Sequence, residues 1–187
     1  WARTRVVHFA IRLSEPLRHY QSMRRNDLAY NGFYRRFNEQ DGFPEFAGRD
    51  VRMLLDFGVL EQPLTLHVAL SGVSRAGALA NLEAESQSFD ATVTSARSAW
   101  NAELNRVQVE SLTEQDQRTF YTAMYHSMLS PVVYEDVDGQ YRGLDGDVHA
   151  STDFTNHTVF SLWDTFRALH PWMNLVHPQR SRDCVHS

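Results

Sequence analysis

Cysteine is almost missing from this chain. Cys184 is the one thiol in 187 residues, which excludes an intrachain disulfide framework and implies no particular redox compartment. Long apolar runs are missing too, since none approaches the roughly 18 residues that a membrane span needs. No charge of one sign dominates: the formal net charge is -5 and the pI is near 6.0, with no global pull toward nucleic acid or anionic membrane. There is no H-E-x-x-H, no Gly-rich phosphate loop and no G-x-S-x-G. The nine histidines are scattered without metal-ligand spacing. His170 and His177 are the nearest to a pair, and a structural role suits them better than zinc ligation. Neither an initiator methionine nor a basic-then-apolar segment opens the chain, so its start says nothing about export.

What is present is globular. A hydrophobic content of 42% with 12% aromatics is not that of a disordered segment, and the length suits one large domain or two modest ones with a sizeable core. Trp1-Ala2-Arg3 runs straight into a strand pattern, and His186-Ser187 stands in what reads as a continuing helical hairpin. The expectation is an internal segment of a longer protein.

The first part has a period of two. Val7, Phe9, Ile11 and Leu13 alternate with Val6, His8, Ala10 and Arg12, which predicts a half-buried strand ending at Glu15-Pro16. Leu64, Leu66, Val68 and Leu70 alternate in the same way, and Val51 to Val59 predicts a third strand. Residues 17–50 show no regular period. They carry Arg24-Arg25 and Arg35-Arg36, read as solvated loop charges rather than a basic patch. A loop of that length is usually functional or mobile.

From Ser74 the period becomes helical. Val93, Ala96, Trp100 and Leu104 predict a helix over about 89–105, followed by a short strand at 107–110. Thr113 caps a further helix, with Glu114 and Asp116 in its positive first turn and Phe120, Met124 and Met128 along one face. That stripe reads as core. Residues 135–149 predict a turn-rich loop. Its aspartates Asp136, Asp138, Asp145 and Asp147 are hard oxygen ligands, but an EF-hand starting at Asp136 needs glycine where Tyr141 stands, so that template is rejected.

The run from Asn156 to Trp172 is the most informative. Read as one helix capped by Asn156 or Thr158 and stopped by Pro171, it places Val159, Leu162, Phe166 and Leu169 on a core stripe. Phe160, Trp163, Asp164 and Arg167 share a neighbouring face. Two readings stay open here. Asp164 and Arg167 suit an i,i+3 ion pair beside a packing tryptophan. They equally suit a sugar subsite, in which the indole covers the C–H side of a pyranose and the carboxylate accepts from two hydroxyls.

The block F-T-N-H-T-V-F-S-L-W-D-T-F-R-A-L-H-P, residues 154–171, resembles the signature of glycoside hydrolase family 92, calcium-dependent exo-α-mannosidases. Residues 120–146 are similar to that family as well, and residues 72–85 more loosely, all in family order. The resemblance implies an α+β chain. Residues 1–75 would end an N-terminal β-sandwich, 76–112 would form a helical linker, and 113–187 would begin an (α/α)6 barrel. It also implies removal of terminal α-linked mannose from glycans with inversion, assisted by Ca2+, in a secreted or periplasmic enzyme. The general acid, general base and calcium ligands are expected outside these residues, leaving the segment inactive alone. Substrate-binding positions carried over are Trp163, Asp164 and Arg167, with Arg142, Asp145 and His149 at the rim. Rival expectations are a non-catalytic carbohydrate-binding module and a different (α/α)6 glycosidase.

Overall fold

The computed structural model describes residues 6–24, 34–38, 43–47, 51–110 and 113–187, with side chains outside 22–51. The opening Trp1-Ala2-Arg3 and the side chains of the paired arginines at 24–25 and 35–36 lie outside what is described. Strands precede residue 72 and helices prevail after residue 74, with one short hairpin among them. The expected change of period is therefore a real change of structure.

By packing, the chain forms two compact units, residues 13–66 and a unit of 1–12 with 67–187. In residues 13–66, β2 (His19–Arg24) pairs antiparallel with β5 (Val51–Asp56), and β3 (Tyr34–Asn38) with β4 (Phe43–Ala47). Strands β2, β3 and β4 correct the expectation of an irregular 17–50 segment. Their sequences lack clean alternation, and backbone pairing defines them where no apolar period announces them.

In the other unit β1 (His8–Leu13) and β6 (Leu66–Ser71) form a two-stranded sheet. Burial alternates along both. His8, Ala10, His67, Ala69 and Ser71 face inward, while Phe9, Ile11, Leu66, Val68 and Leu70 are exposed. The period of two is observed, but in this unit the apolar face is the uncovered one.

Three helices follow, α1 (Arg75–Glu85), α2 (Phe89–Leu104) and α3 (Glu114–Ser127). Each starts at a side-chain cap: Ser74 accepts from the Gly77 amide, Ser88 from Ala91 and Thr113 from Asp116. These bonds satisfy amides that the first turn leaves without partners. Residues 107–110 form no strand; Val107 instead offers its carbonyl to the Tyr121 hydroxyl at 3.2 Å. Met124 is buried, Phe120 and Met128 are half-buried, and Phe120 meets Trp172 edge-on, so the α3 stripe faces inward with Met124 as its one fully buried member. The 135–149 segment is more ordered than expected. It holds β7 (Gln140–Arg142), paired antiparallel with β8 (Val148–Ala150).

The single helix expected from Thr158 to His170 is not formed. The chain makes α4 (Leu162–Thr165), a turn at 166–168, then α5 (Leu169–Val176) and α6 (Pro178–His186). Pro171 explains the break. In a continuous helix its ring would meet the Arg167 carbonyl, and it has no N–H to give that carbonyl. In the first turn of α5 the missing N–H costs nothing, because that amide would be unpaired anyway. The expected caps are also occupied elsewhere. Asn156 exchanges backbone and side-chain bonds with Tyr134, and Thr158 bonds Val132 through both amide and hydroxyl. The supposed core stripe is open, with Val159 56%, Leu162 61% and Phe166 62% exposed.

Candidate functional site

Trp163 and Asp164 sit together on α4, and both side chains face solvent; Trp163 is 80% exposed. Arg167 lies in the turn after α4, also exposed, rather than one turn along the same helix. Among the described residues neither the Asp164 carboxylate nor the Arg167 guanidinium has a hydrogen-bond or ion-pair partner. The i,i+3 ion pair is therefore not formed, and an exposed indole and an unpartnered carboxylate are borne by consecutive residues of α4. Phe160 does not join them. It precedes α4 and packs on the His170 ring, centroids 4.7 Å apart, while His170 Nε2 meets the Thr165 hydroxyl at 2.7 Å.

The second group of predicted residues lies on the β7–β8 hairpin. Asp145 Oδ2 is 2.8 Å from His149 Nε2, and Asp145 Oδ1 accepts the Asp147 amide at 3.0 Å. The Asp147 amide first, and the His149 ring second, hold the Asp145 carboxyl below its ordinary range. Gly143 makes room for this pair. A Cβ there would come within 2.6 Å of Asp145 Oδ1 and 2.8 Å of the His149 ring. Arg142 is differently employed. Its Nε donates to Gly72 O at 2.8 Å, Nη2 to Val73 O at 3.1 Å and Nη1 to Gly146 O at 2.6 Å. It clasps the hairpin to the corner between β6 and α1, with three of its N–H donors on backbone carbonyls. No hydrogen bond, ion pair or ring contact among the described residues joins the hairpin pair to Trp163 and Asp164.

Two clusters escaped the sequence reading. Asp136 is buried at 5% exposure, accepting from the Ser71 hydroxyl at 2.7 Å and the Asn81 amide at 2.9 Å. Glu103 on α2 gathers Arg106 at 2.8 Å and His177 at 3.2 Å beside a cavity of about 330 Å³. Ser71 and Asn81 lie 65 and 55 residues from Asp136, and His177 lies far along the chain from Glu103, so spacing carries no sign of these contacts; only Glu103 with Arg106 is a local i,i+3 pair.

The glycosyl hydrolase family 92 catalytic domain matches residues 77–187. The chain belongs to glycoside hydrolase family 92. Its backbone also resembles solved members of that family. The family GH92 α-mannosidase BT3965 from Bacteroides thetaiotaomicron is 33% identical at a TM-score of 0.80, the match covering 97% of this chain and 24% of that one. The same mannosidase has been solved in complex with mannoimidazole. The family GH92 inverting mannosidase BT2199 from B. thetaiotaomicron VPI-5482 is 26% identical at a TM-score of 0.73, over 96% of this chain and 24% of that one. The GH92 glycosyl hydrolase ccman5 is 27% identical at 0.76, covering 97% and 23%. No curated protein matches the chain. This family-92 chain thus spans about a quarter of the length of the structures it resembles, with their mixture of sheet and helix.

Proposed function

We propose that this chain is part of an inverting exo-α-mannosidase, and that Trp163 and Asp164 hold the terminal mannose of its glycan substrate. The observation that carries the reading is the pairing of a solvent-facing indole with an unpartnered carboxylate on α4, inside the segment matched to the family's catalytic domain. The indole covers the apolar face of the sugar while Asp164 accepts from two hydroxyls, bonds contributing roughly 1.5–3 kcal/mol each once desolvated. Arg167 stands next in line as a donor to the sugar, and Asp145 with His149 forms a rim. Inversion requires a general acid at the leaving oxygen and a general base on the opposite face, carboxyl groups roughly 6.5–9.5 Å apart. No residue of this chain is assigned either role.

The architecture belongs to the same proposal: β1 and β6 as part of a β-sandwich, α1 and α2 as a linker, and α3 onward as the start of an (α/α)6 barrel. The uncovered apolar faces support it, because Phe9, Ile11 and Val68 on the sheet and Leu162 and Phe166 near α4 need a further layer to leave water. Calcium is the metal this family reading brings. Among the described residues no group of three or more His, Cys, Asp or Glu is arranged to hold a metal. We assign its ligands to polypeptide outside these described residues. A secreted or periplasmic enzyme is the matching location for such a substrate.

The test is hydrolysis of an aryl α-mannoside by the intact enzyme, with the anomer of released mannose followed by NMR. β-Mannose as the first product supports the proposal. α-Mannose, or no turnover of any α-mannoside, refutes it.

A further inference from the structure

We infer that Asp136 is a positioning residue for the Trp163–Asp164 subsite, an inference that rests on the mannose-binding reading of those two residues. Asp136 is the buried anchor of a frame from which both candidate substrate groups hang. Its Oδ2 accepts from the Ser71 hydroxyl at 2.7 Å and its Oδ1 from the Asn81 side chain at 2.9 Å, which fastens residue 136 to the β6–α1 corner. Asn81 also accepts the Val137 amide at 2.8 Å, so the corner grips two successive residues.

From Asp136 the frame runs in both directions. Its own amide and carbonyl bond Gln140 and Gly139, setting the entry to the β7–β8 hairpin. On the other side Glu135 accepts the Asn156 amide at 2.7 Å, and Tyr134 and Val132 pair with Asn156 and Thr158. Four residues later α4 begins, carrying Trp163 and Asp164. The arm that presents the subsite is thus bonded to the strip of chain that Asp136 fixes.

A carboxylate is required at this place. The Ser71 hydroxyl oxygen already accepts from the Val73 and Ser74 amides, at 3.0 and 3.1 Å, so its O–H must donate. Asn81 also donates, so residue 136 must accept on both oxygens. Asparagine offers one acceptor and sets an NH2 against one of the two donors. Gly77 shows how closely the corner packs around that contact. A Cβ there would lie 2.1 Å from Asp136 Oδ2 and 2.8 Å from Ser71 Oγ.

The experiment is a double-mutant cycle in the intact enzyme, using Asp136→Asn, Asp164→Asn and the pair, with KM and kcat on an aryl α-mannoside and thermal midpoints alongside. Misplacing a substrate-holding group by about 1 Å costs up to about 100-fold. Asp136→Asn is expected to raise KM about tenfold or more in folded protein, and to add less than about twofold in the Asp164→Asn background. Gly77→Ala keeps the carboxylate but drives it from Ser71, and is expected to raise KM similarly. It decides the matter if Asp136→Asn does not fold. Losses that multiply in the double variant, or a wild-type KM in folded Gly77→Ala, overturn the inference. A silent Asp164→Asn single variant refutes the subsite itself and the inference with it, an outcome distinct from multiplied losses.

Discussion

Glu103 on α2 and His177 between α5 and α6 meet at 3.2 Å, Oε2 to Nδ1, with the imidazole almost closed to solvent. Nε2 is buried with no hydrogen-bond partner among the described residues. Burial pushes the His177 pKa below the usual 6.5, Arg180 and Arg106 push the same way, and Glu103 opposes them. The folded state therefore keeps this ring neutral at a pH where the unfolded chain already takes up a proton. Stability is full above the unfolded value and falls as pH drops through it, levelling off below the folded value. Thermal midpoints from about pH 7.5 to about pH 5 should fall more in the wild type than in His177→Gln. Parallel curves would contradict this.

Arg142 is expected to behave as a clasp. Its bonds to the Gly72, Val73 and Gly146 carbonyls join two segments. Arg142→Ala should cost about 1.5–3 kcal/mol in urea denaturation, the scale of hydrogen bonds to a charged group. Arg142→Lys should recover little, because one ammonium cannot reproduce a planar fork directed at separate carbonyls. An unchanged unfolding midpoint with weakened mannoside binding would make it a direct ligand instead.

The Asp145–His149 pair is solvent-exposed, and such pairs add little to stability. Asp145→Asn should leave the thermal midpoint within about 2 °C of wild type. A rise in KM without that loss marks a rim contact with the sugar; unchanged kinetics remove the hairpin from the site.

Chelation supplies a separate check. In the intact enzyme, EGTA should abolish mannoside hydrolysis and added Ca2+ restore it. Calorimetric titration of the 187-residue chain alone should show no Ca2+ binding, because its described residues gather no set of three or more metal-binding side chains. Tight binding to this chain would overturn that assignment.

The sequence made some of this legible for physical reasons. Alternating Val7 to Leu13 and Leu64 to Leu70 foretold β1 and β6, since strand side chains repeat every two residues. Thr113 with Asp116 foretold the start of α3 through its cap. Residues 34–38 and 43–47 pair through the backbone without clean alternation, and nothing in their side chains announced it. The helix across 158–170 failed because Pro171 acts in the first turn of α5 and because Asn156 and Thr158 serve the 132–134 strip. Asp136 was legible only as an acidic residue, since its partners lie 55 and 65 residues away. Trp163 and Asp164 were found together by a family signature that outlasts the helix it was first read into.

The most direct test of the mannose subsite is Asp164→Asn in the intact enzyme, with kcat/KM on a terminal α-mannoside and the thermal midpoint measured together. Asparagine keeps the shape but exchanges an acceptor oxygen for an NH2 and removes the charge. Because Asp164 has no hydrogen-bond or ion-pair partner among the described residues, the midpoint should stay near wild type. If the carboxylate accepts from two mannose hydroxyls, kcat/KM should fall by about 2–5 kcal/mol, roughly 30-fold or more. A folded variant with wild-type kcat/KM would contradict the central claim.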